Sequence, residues 1–164
     1  MRTLIFLCLT MMLVSCDKNL VDSQSIEFEN AKWPIKVAPV FDITPPDTLN
    51  SYDLFLNLRN SKEYAYSNLF LISEIKFPQG KIVTDTLEYE MATPQGEYLG
   101  SARGSVVENK LWLKEGVRFR ESGTYQLTVR HIMRDARSVE GMAHLNGVLD
   151  IGYSIEKPMN HGDN

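Results

Sequence analysis

The 164 residues of the chain are enough for one domain with short tails. Apolar residues form 43% and charged residues 23% of the sequence, proportions that exclude a disordered chain, a collagen-like chain and a multi-pass membrane protein. The net charge of −4 leaves no basic excess to neutralise phosphate groups, so nucleic acid is not expected as a partner.

The first sixteen residues have the layout of a secretory signal, with a basic start and an apolar run too short to span a bilayer. The run ends in Leu13-Val14-Ser15-Cys16, which resembles the lipobox of bacterial lipoproteins. We therefore predict a signal peptide over residues 1–15, cleavage between Ser15 and Cys16, and anchoring to a membrane by acyl chains on Cys16. The alternative is an ordinary signal peptide that contains a cysteine by chance.

The mature chain alternates between apolar and polar residues for most of its length. Residues 16–30 are polar and are predicted to be a flexible tether from the lipidated Cys16. Strands are predicted, in chain order, over residues 36–43, 52–58, 68–77, 84–91, 98–100, 105–113, 124–133 and 148–155. Eight or nine short strands at this spacing indicate an all-β domain over residues 31–157, an antiparallel β-sandwich of immunoglobulin-like or jelly-roll-like type. Residues 158–164 are predicted to be a disordered tail.

Cysteine chemistry is excluded by the predicted processing, because Cys8 is removed with the signal peptide and Cys16 carries lipid. The sandwich is therefore expected to have no disulfide and to depend on its packed core. No catalytic motif and no metal-ligand spacing of histidines is present. Glu88 and Glu90 could form a glycosidase pair across a cleft, but their alternation with apolar residues favours a solvated strand face. We predict no catalytic site, no metal, no other cofactor and no small-molecule substrate.

A polar connection with two tyrosines joins two strongly alternating strands in the middle of the chain. The residues of interest there are Arg59, Asn60, Tyr64, Tyr66 and Asn68. Loops on a rigid scaffold carry function more often than strands do, so these residues are predicted to form an interaction loop. Alternatively, the tyrosine hydroxyls bond to loop carbonyls and clamp the segment. We expect one tyrosine to act as a clamp and the other as a contact.

Several short motifs stand in order along the chain. They are Trp33-Pro34, Leu58-Arg59-Asn60, Glu63–Leu69, Tyr98-Leu99-Gly100, Gly123–Arg134 and Gly147–Gly152. Together with the lipobox, they resemble the GldH family of gliding-motility lipoproteins of Bacteroidetes. The resemblance implies a cell-envelope lipoprotein associated with gliding and, through that machinery, with type IX protein secretion. It carries over no catalytic residue.

Three functions compete at this point. The leading prediction is a non-catalytic lipoprotein anchored at the outer membrane, whose partners are the membrane itself and other envelope or gliding lipoproteins. The second is a glycan- or peptide-binding module that uses exposed aromatic side chains, and the third is a hydrolase that uses Glu88 and Glu90. A flat surface would favour the first, a shallow aromatic strip the second, and a deep cleft with convergent carboxylates the third.

Two triplets resemble the O-glycosylation motif of Bacteroidetes proteins, in which an aspartate precedes the modified hydroxyl. They are Asp47-Thr48-Leu49 and Asp85-Thr86-Leu87, with Thr48 and Thr86 as the candidate sites. Thr48 lies in a proline-rich turn and is predicted to be more accessible than Thr86, which lies near the start of a strand.

Replacing Cys16 with alanine tests the lipid anchor. Without the thiol no acyl chain can be attached, so the Cys16→Ala variant should move from the membrane fraction to the soluble fraction of the host cell. Immunoblots of the two fractions after a high-salt wash measure the shift. A variant that still pellets with membranes would show that acylation of Cys16 does not hold the protein there.

Overall fold

The computed structural model describes residues 19–134 and 141–158. The signal peptide, Cys16 and residues 159–164 of the predicted tail lie outside the described residues. The strands are β1 (Leu20–Glu27), β2 (Lys32–Pro34), β3 (Val40–Ile43), β4 (Tyr52–Ser61), β5 (Asn68–Lys76), β6 (Ile82–Glu90), β7 (Ser101–Arg103), β8 (Val106–Val117), β9 (Tyr125–His131), β10 (His144–Asn146) and β11 (Val148–Glu156). One turn of 3-10 helix, Glu29–Ala31, is the sole helical element in these residues.

Two antiparallel sheets form the sandwich. One has five strands in the order β1-β11-β4-β8-β7, and the other has four in the order β3-β9-β5-β6. The short strands β2 and β10 pair with each other apart from both sheets. The predicted all-β antiparallel fold is therefore confirmed, with eleven strands in place of eight or nine. Strands β2 and β10 have three residues each, too few to show a period-2 pattern in the sequence.

The core lies between the two sheets and is built by alternation along their strands. In β9 the buried positions are every second residue from Tyr125 to His131, and they face the buried positions of β4 and β11. Phe41 of β3 packs edge-on against Tyr153 of β11, with ring centroids 5.5 Å apart, which joins the two sheets. Fully buried Trp33 closes one end of the core by stacking on Phe28 at 5.0 Å.

The flexible tether predicted for residues 16–30 is wrong from residue 20 onward. Residues 20–27 form β1, which pairs antiparallel with β11 from Leu20 opposite Glu156 to Glu27 opposite Asp150. Because β1 is an edge strand, its backbone hydrogen bonds hold it to the sheet while most of its side chains stay exposed. A strand held in this way needs few apolar residues, and its sequence therefore looks like that of a linker.

The turn between β10 and β11 fixes the connection from β4 to β5. The Gly147 N–H donates to the carbonyl of Ala31 at 2.8 Å, and its own carbonyl accepts the N–H of Ser61 at 2.8 Å. Gly147 has a φ of +81°, and a Cβ atom there would lie 2.3 Å from the backbone nitrogen of Tyr64. Only glycine fits this close approach of two chain segments.

Substituting Gly147 tests this contact against a matched control. Gly96 has nearly the same φ, +86°, but a Cβ atom there would meet nothing within 4 Å. Gly96→Ala should therefore lower the free energy of unfolding only through backbone strain, by about 1 kcal/mol. Gly147→Ala should lower it by a further ~1–3 kcal/mol because the added Cβ atom overpacks the contact. Urea denaturation of both variants measures the free energies of unfolding. Equal losses would show that the turn and the Tyr64 segment are not packed as described.

Candidate functional site

The predicted interaction loop is divided by the structure between three environments. Arg59 points from β4 to the exposed outer face of the five-stranded sheet, whereas Asn60, the next residue, points into the core. The Asn60 side-chain oxygen accepts a hydrogen bond from the Asn109 amide of β8 at 2.7 Å, so Asn60 ties two strands together. Tyr64 and Tyr66 follow in the loop, which ends where Asn68 begins β5.

Tyr64 is the clamp of this loop. Its ring is buried, and its hydroxyl donates to the carbonyl of Asn68 at 2.6 Å. Burial raises the pKa of Tyr64 well above its ordinary value, which keeps the hydroxyl protonated as a donor. Tyr66 is half-buried and meets the Tyr64 ring edge-on, with centroids 5.7 Å apart. Part of the Tyr66 ring therefore remains available to a partner on a loop that Tyr64 holds in place.

The outer face of the five-stranded sheet carries three rows of side chains, which the strand register places side by side. The charged row contains Glu27, Asp150, Arg59, Glu108 and Ser101. The middle row contains Ser25, Gly152, Asn57 and Lys110. The aromatic row contains Ser23, Ser154, Phe55 and Trp112. Each row draws on four or five strands that are distant in sequence.

The charged row is organised by one ion pair. The Nε and Nη2 atoms of Arg59 lie 2.7 and 2.6 Å from the Oδ2 atom of Asp150, whose side chain is only 4% exposed. This hydrogen bond raises the pKa of the Arg59 guanidinium, and Glu27 lies 3.7 Å away on the other side. A buried carboxylate without such a partner would be strongly destabilising. Arg59 therefore stabilises the buried Asp150 while part of its own side chain remains exposed.

The aromatic row presents a fixed indole ring to solvent. Trp112 is 50% exposed and packs on Phe55 with ring centroids 4.4 Å apart. The Lys110 ammonium lies 4.3 Å from the centroid of Phe55 and 2.6 Å from Glu156. Behind the ring, the Tyr89 hydroxyl donates to the carbonyl of Trp112 at 2.6 Å, and burial raises the pKa of Tyr89 to about 12.

A shallow groove of about 510 Å³ crosses this face from β1 to β7. Its polar lining includes Ser25, Asn57, Arg59, Glu108, Lys110 and Asp150. Of these residues, sequence reasoning singled out only Arg59. It missed Asp150 and the neighbouring Trp112 because a row exists only once the register of the strands is known, and no local motif signals it.

The remaining candidates are placed apart from the groove. Glu88 and Glu90 are exposed on β6, an edge strand of the other sheet, as their alternation suggested. Thr48 and Thr86 are both exposed, and their glycosylation stays a prediction.

His131 is buried, with its Nε2 atom 3.2 Å from the carbonyl of Trp33, and burial lowers its pKa. Within residues 19–134 and 141–158, no group of three or more His, Cys, Asp or Glu is placed to hold a metal ion.

The antiparallel sandwich, together with the lipobox-like Leu13-Val14-Ser15-Cys16 that precedes it in the sequence, indicates the class of a β-sandwich lipoprotein. No helix among the described residues is long and apolar enough to cross a membrane. The model of the GldH lipoprotein family matches residues 21–155, and the chain belongs to that family. A protein of Christiangramia forsetii named gliding motility lipoprotein GldH homolog is 46% identical over 157 residues, 95% of either chain. The gliding motility lipoprotein GldH of Flavobacterium johnsoniae is 36% identical over 153 residues, covering 93% of this chain and 94% of its own.

Substitutions at the two loop tyrosines should distinguish Tyr64, which holds the loop in place, from Tyr66, which is free to contact a partner. Tyr64→Ala should lower the free energy of unfolding by roughly 3–5 kcal/mol because a buried ring is deleted. Tyr64→Phe should lose only about 1 kcal/mol, the contribution of its hydrogen bond to Asn68, and Tyr66→Ala should lose about the same. Thermal and urea melts provide the measurements, and equal losses for both alanine variants would contradict the assignment of Tyr64 as the clamp.

Proposed function

We propose that this protein is a non-catalytic, lipid-anchored component of the gliding-motility machinery that acts through protein–protein contacts. The observation that carries the proposal is the similarity over more than nine-tenths of the chain to two proteins named gliding motility lipoproteins. We place the anchor at the outer membrane and the partners among other envelope or gliding lipoproteins, in association with type IX protein secretion.

The position of β1 supports a domain held close to the membrane. The strand starts at Leu20, only four residues after the predicted lipid-bearing Cys16. Four extended residues span at most ~14 Å, so the anchor would keep the start of β1 within that distance of Cys16. Partners of the domain are then expected to be other proteins at the same membrane surface.

Carboxylate geometry supports a role without catalysis. Glu88 and Glu90 stand on the solvent side of an edge strand. In the groove, Asp150 is engaged by Arg59 at 2.6 Å and Glu108 by Arg103 at 3.3 Å. Both carboxylates of the groove are therefore engaged in ion pairs with neighbouring cations.

The loop over residues 61–67 is the surface that we propose for protein contacts. Lys62 and Glu63 at its tip are exposed, and Tyr66 offers part of an aromatic ring. The Tyr64 hydrogen bond and the packing against Gly147 hold this loop in one shape, so little conformational entropy would be lost when a partner binds. Tyrosine is also among the side chains enriched at interface hot spots.

Crosslinking in intact cells tests this surface. Tyr66→Ala should reduce the yield of crosslinked envelope partners by roughly 30-fold, since an interface hot spot contributes ~2 kcal/mol or more. Leu49→Ala serves as the control, because Leu49 is exposed in the connection between β3 and β4, and it should leave the yield unchanged. Membrane fractions and melting temperatures of both variants are recorded in parallel. A folded, anchored Tyr66→Ala variant with an undiminished set of partners would contradict the contact surface.

A further inference from the structure

We propose that the groove across the outer face of the five-stranded sheet binds a neutral oligosaccharide, which lies along the middle row and stacks one sugar ring on Trp112. This inference goes beyond the proposed role in protein contacts, which uses the loop over residues 61–67, and does not depend on it. It rests on the shape of the groove, on the chemistry of its walls and on its charge balance.

The shape of the groove suits an extended chain. Small polar side chains form part of its lining, with Ser25 on β1 and Asn57 on β4 on either side of β11. Gly152 has to be glycine, because a Cβ atom there would lie 2.2 Å from the carbonyl oxygen of Gln24. The groove reaches over five strands, and at a strand spacing of ~4.8 Å it is about 19 Å long, room for several linked sugars.

The walls carry hydrogen-bonding groups of both kinds. Arg59 offers N–H donors, Glu108 and Asp150 offer carboxylate acceptors, and the amide of Asn57 offers both. A sugar hydroxyl donates one hydrogen bond and accepts others, so neighbouring donors and acceptors satisfy it better than a row of one kind. These side chains lie on the three neighbouring strands β11, β4 and β8, so donors and acceptors alternate over about 10 Å.

The charges of this face nearly balance, with the exposed Glu27 as one carboxylate beyond the three ion pairs, which disfavours an anionic ligand. Each cation is paired with a carboxylate. The pairs are Arg59 with Asp150 at 2.6 Å, Lys110 with Glu156 at 2.6 Å, and Arg103 with Glu108 at 3.3 Å. An anionic ligand would have to compete with these carboxylates for the cations, and a cationic ligand would have to compete with the cations. A neutral ligand leaves all three pairs intact.

The aromatic row distinguishes a sugar from a protein partner. Within the three rows Trp112 is the one large apolar side chain that is exposed, whereas Phe55 is buried beneath it. The centre of a protein interface is apolar and poor in charged residues, which this face is not. One rigid indole beside a polar groove instead matches the apolar face of a sugar ring, whose hydroxyls lie at its edge.

A printed array of neutral, uronic-acid-containing and phosphorylated oligosaccharides, together with a set of soluble peptides, tests the proposal. The full chain purified from membranes in detergent should bind neutral oligosaccharides, with an affinity that is unchanged between low and high salt. Trp112→Ala should weaken binding about tenfold, as expected for one lost stacking contact of ~1.4 kcal/mol, and Asn57→Ala should also weaken it. Leu49→Ala, at a side chain 81% exposed away from the groove, is the control and should bind as the unaltered chain does.

Three results would overturn the proposal. The first is no binding to any neutral oligosaccharide by the folded chain. The second is binding that Trp112→Ala and Asn57→Ala leave unchanged, provided that circular dichroism shows both variants to be folded. The third is binding of peptides or acidic sugars that depends on Trp112 and falls with salt, which would assign the groove to an ionic partner. None of these results bears on the crosslinking yield at Tyr66, so the two proposals fail separately.

Discussion

The sandwich depends on the insertion of its last strand, β11, between β1 and β4. Eight of the nine residues of β11 are buried, which is more than any other strand achieves over its length. Tyr153 packs against Phe41 of the opposite sheet and donates its hydroxyl to Asp22 of β1 at 2.5 Å. The first strand of the chain therefore has no partner until the last one is in place, and the fold closes only through contacts between distant parts of the sequence.

The burial of β11 also determines which charged side chains lie on the outer face of the five-stranded sheet. Its outward positions Asp150 and Glu156 are buried carboxylates, and each needs a cation from a neighbouring strand, Arg59 for the one and Lys110 for the other. Those long cationic side chains lie over the sheet and line the groove, while Gly152 between the two carboxylates lets the backbone of β1 approach β11 closely. The same arrangement that stabilises the central strand thus shapes the surface on which we propose that a ligand binds.

Sequence patterns reveal the strands that face the core and miss those that do not. Alternation predicts β4, β5, β6 and β9 within a few residues, because apolar side chains recur at every second position along the face that each turns to the other sheet. The edge strand β1 is not predicted by alternation, because its backbone pairing with β11 needs no apolar side chains. The site divides in the same way. The segment around Tyr64 is visible as a local aromatic motif, and the structure assigns its role, whereas Trp112 and Asp150 are brought to one sheet face only through strand register.

The anchor and the groove are linked by β1 itself. This strand starts four residues after the predicted lipid-bearing Cys16, and its Ser23 and Ser25 belong to the lining at one end of the groove. Ser25 is nine residues from Cys16, so that end of the groove can be no more than ~32 Å from the acyl chains. Because β1 is paired with β11 along its whole length, it cannot extend away from the domain as an unpaired linker would. A ligand bound in the groove would therefore be held near the membrane surface, and a force on the predicted lipid anchor would act directly on the pairing of β1 with β11.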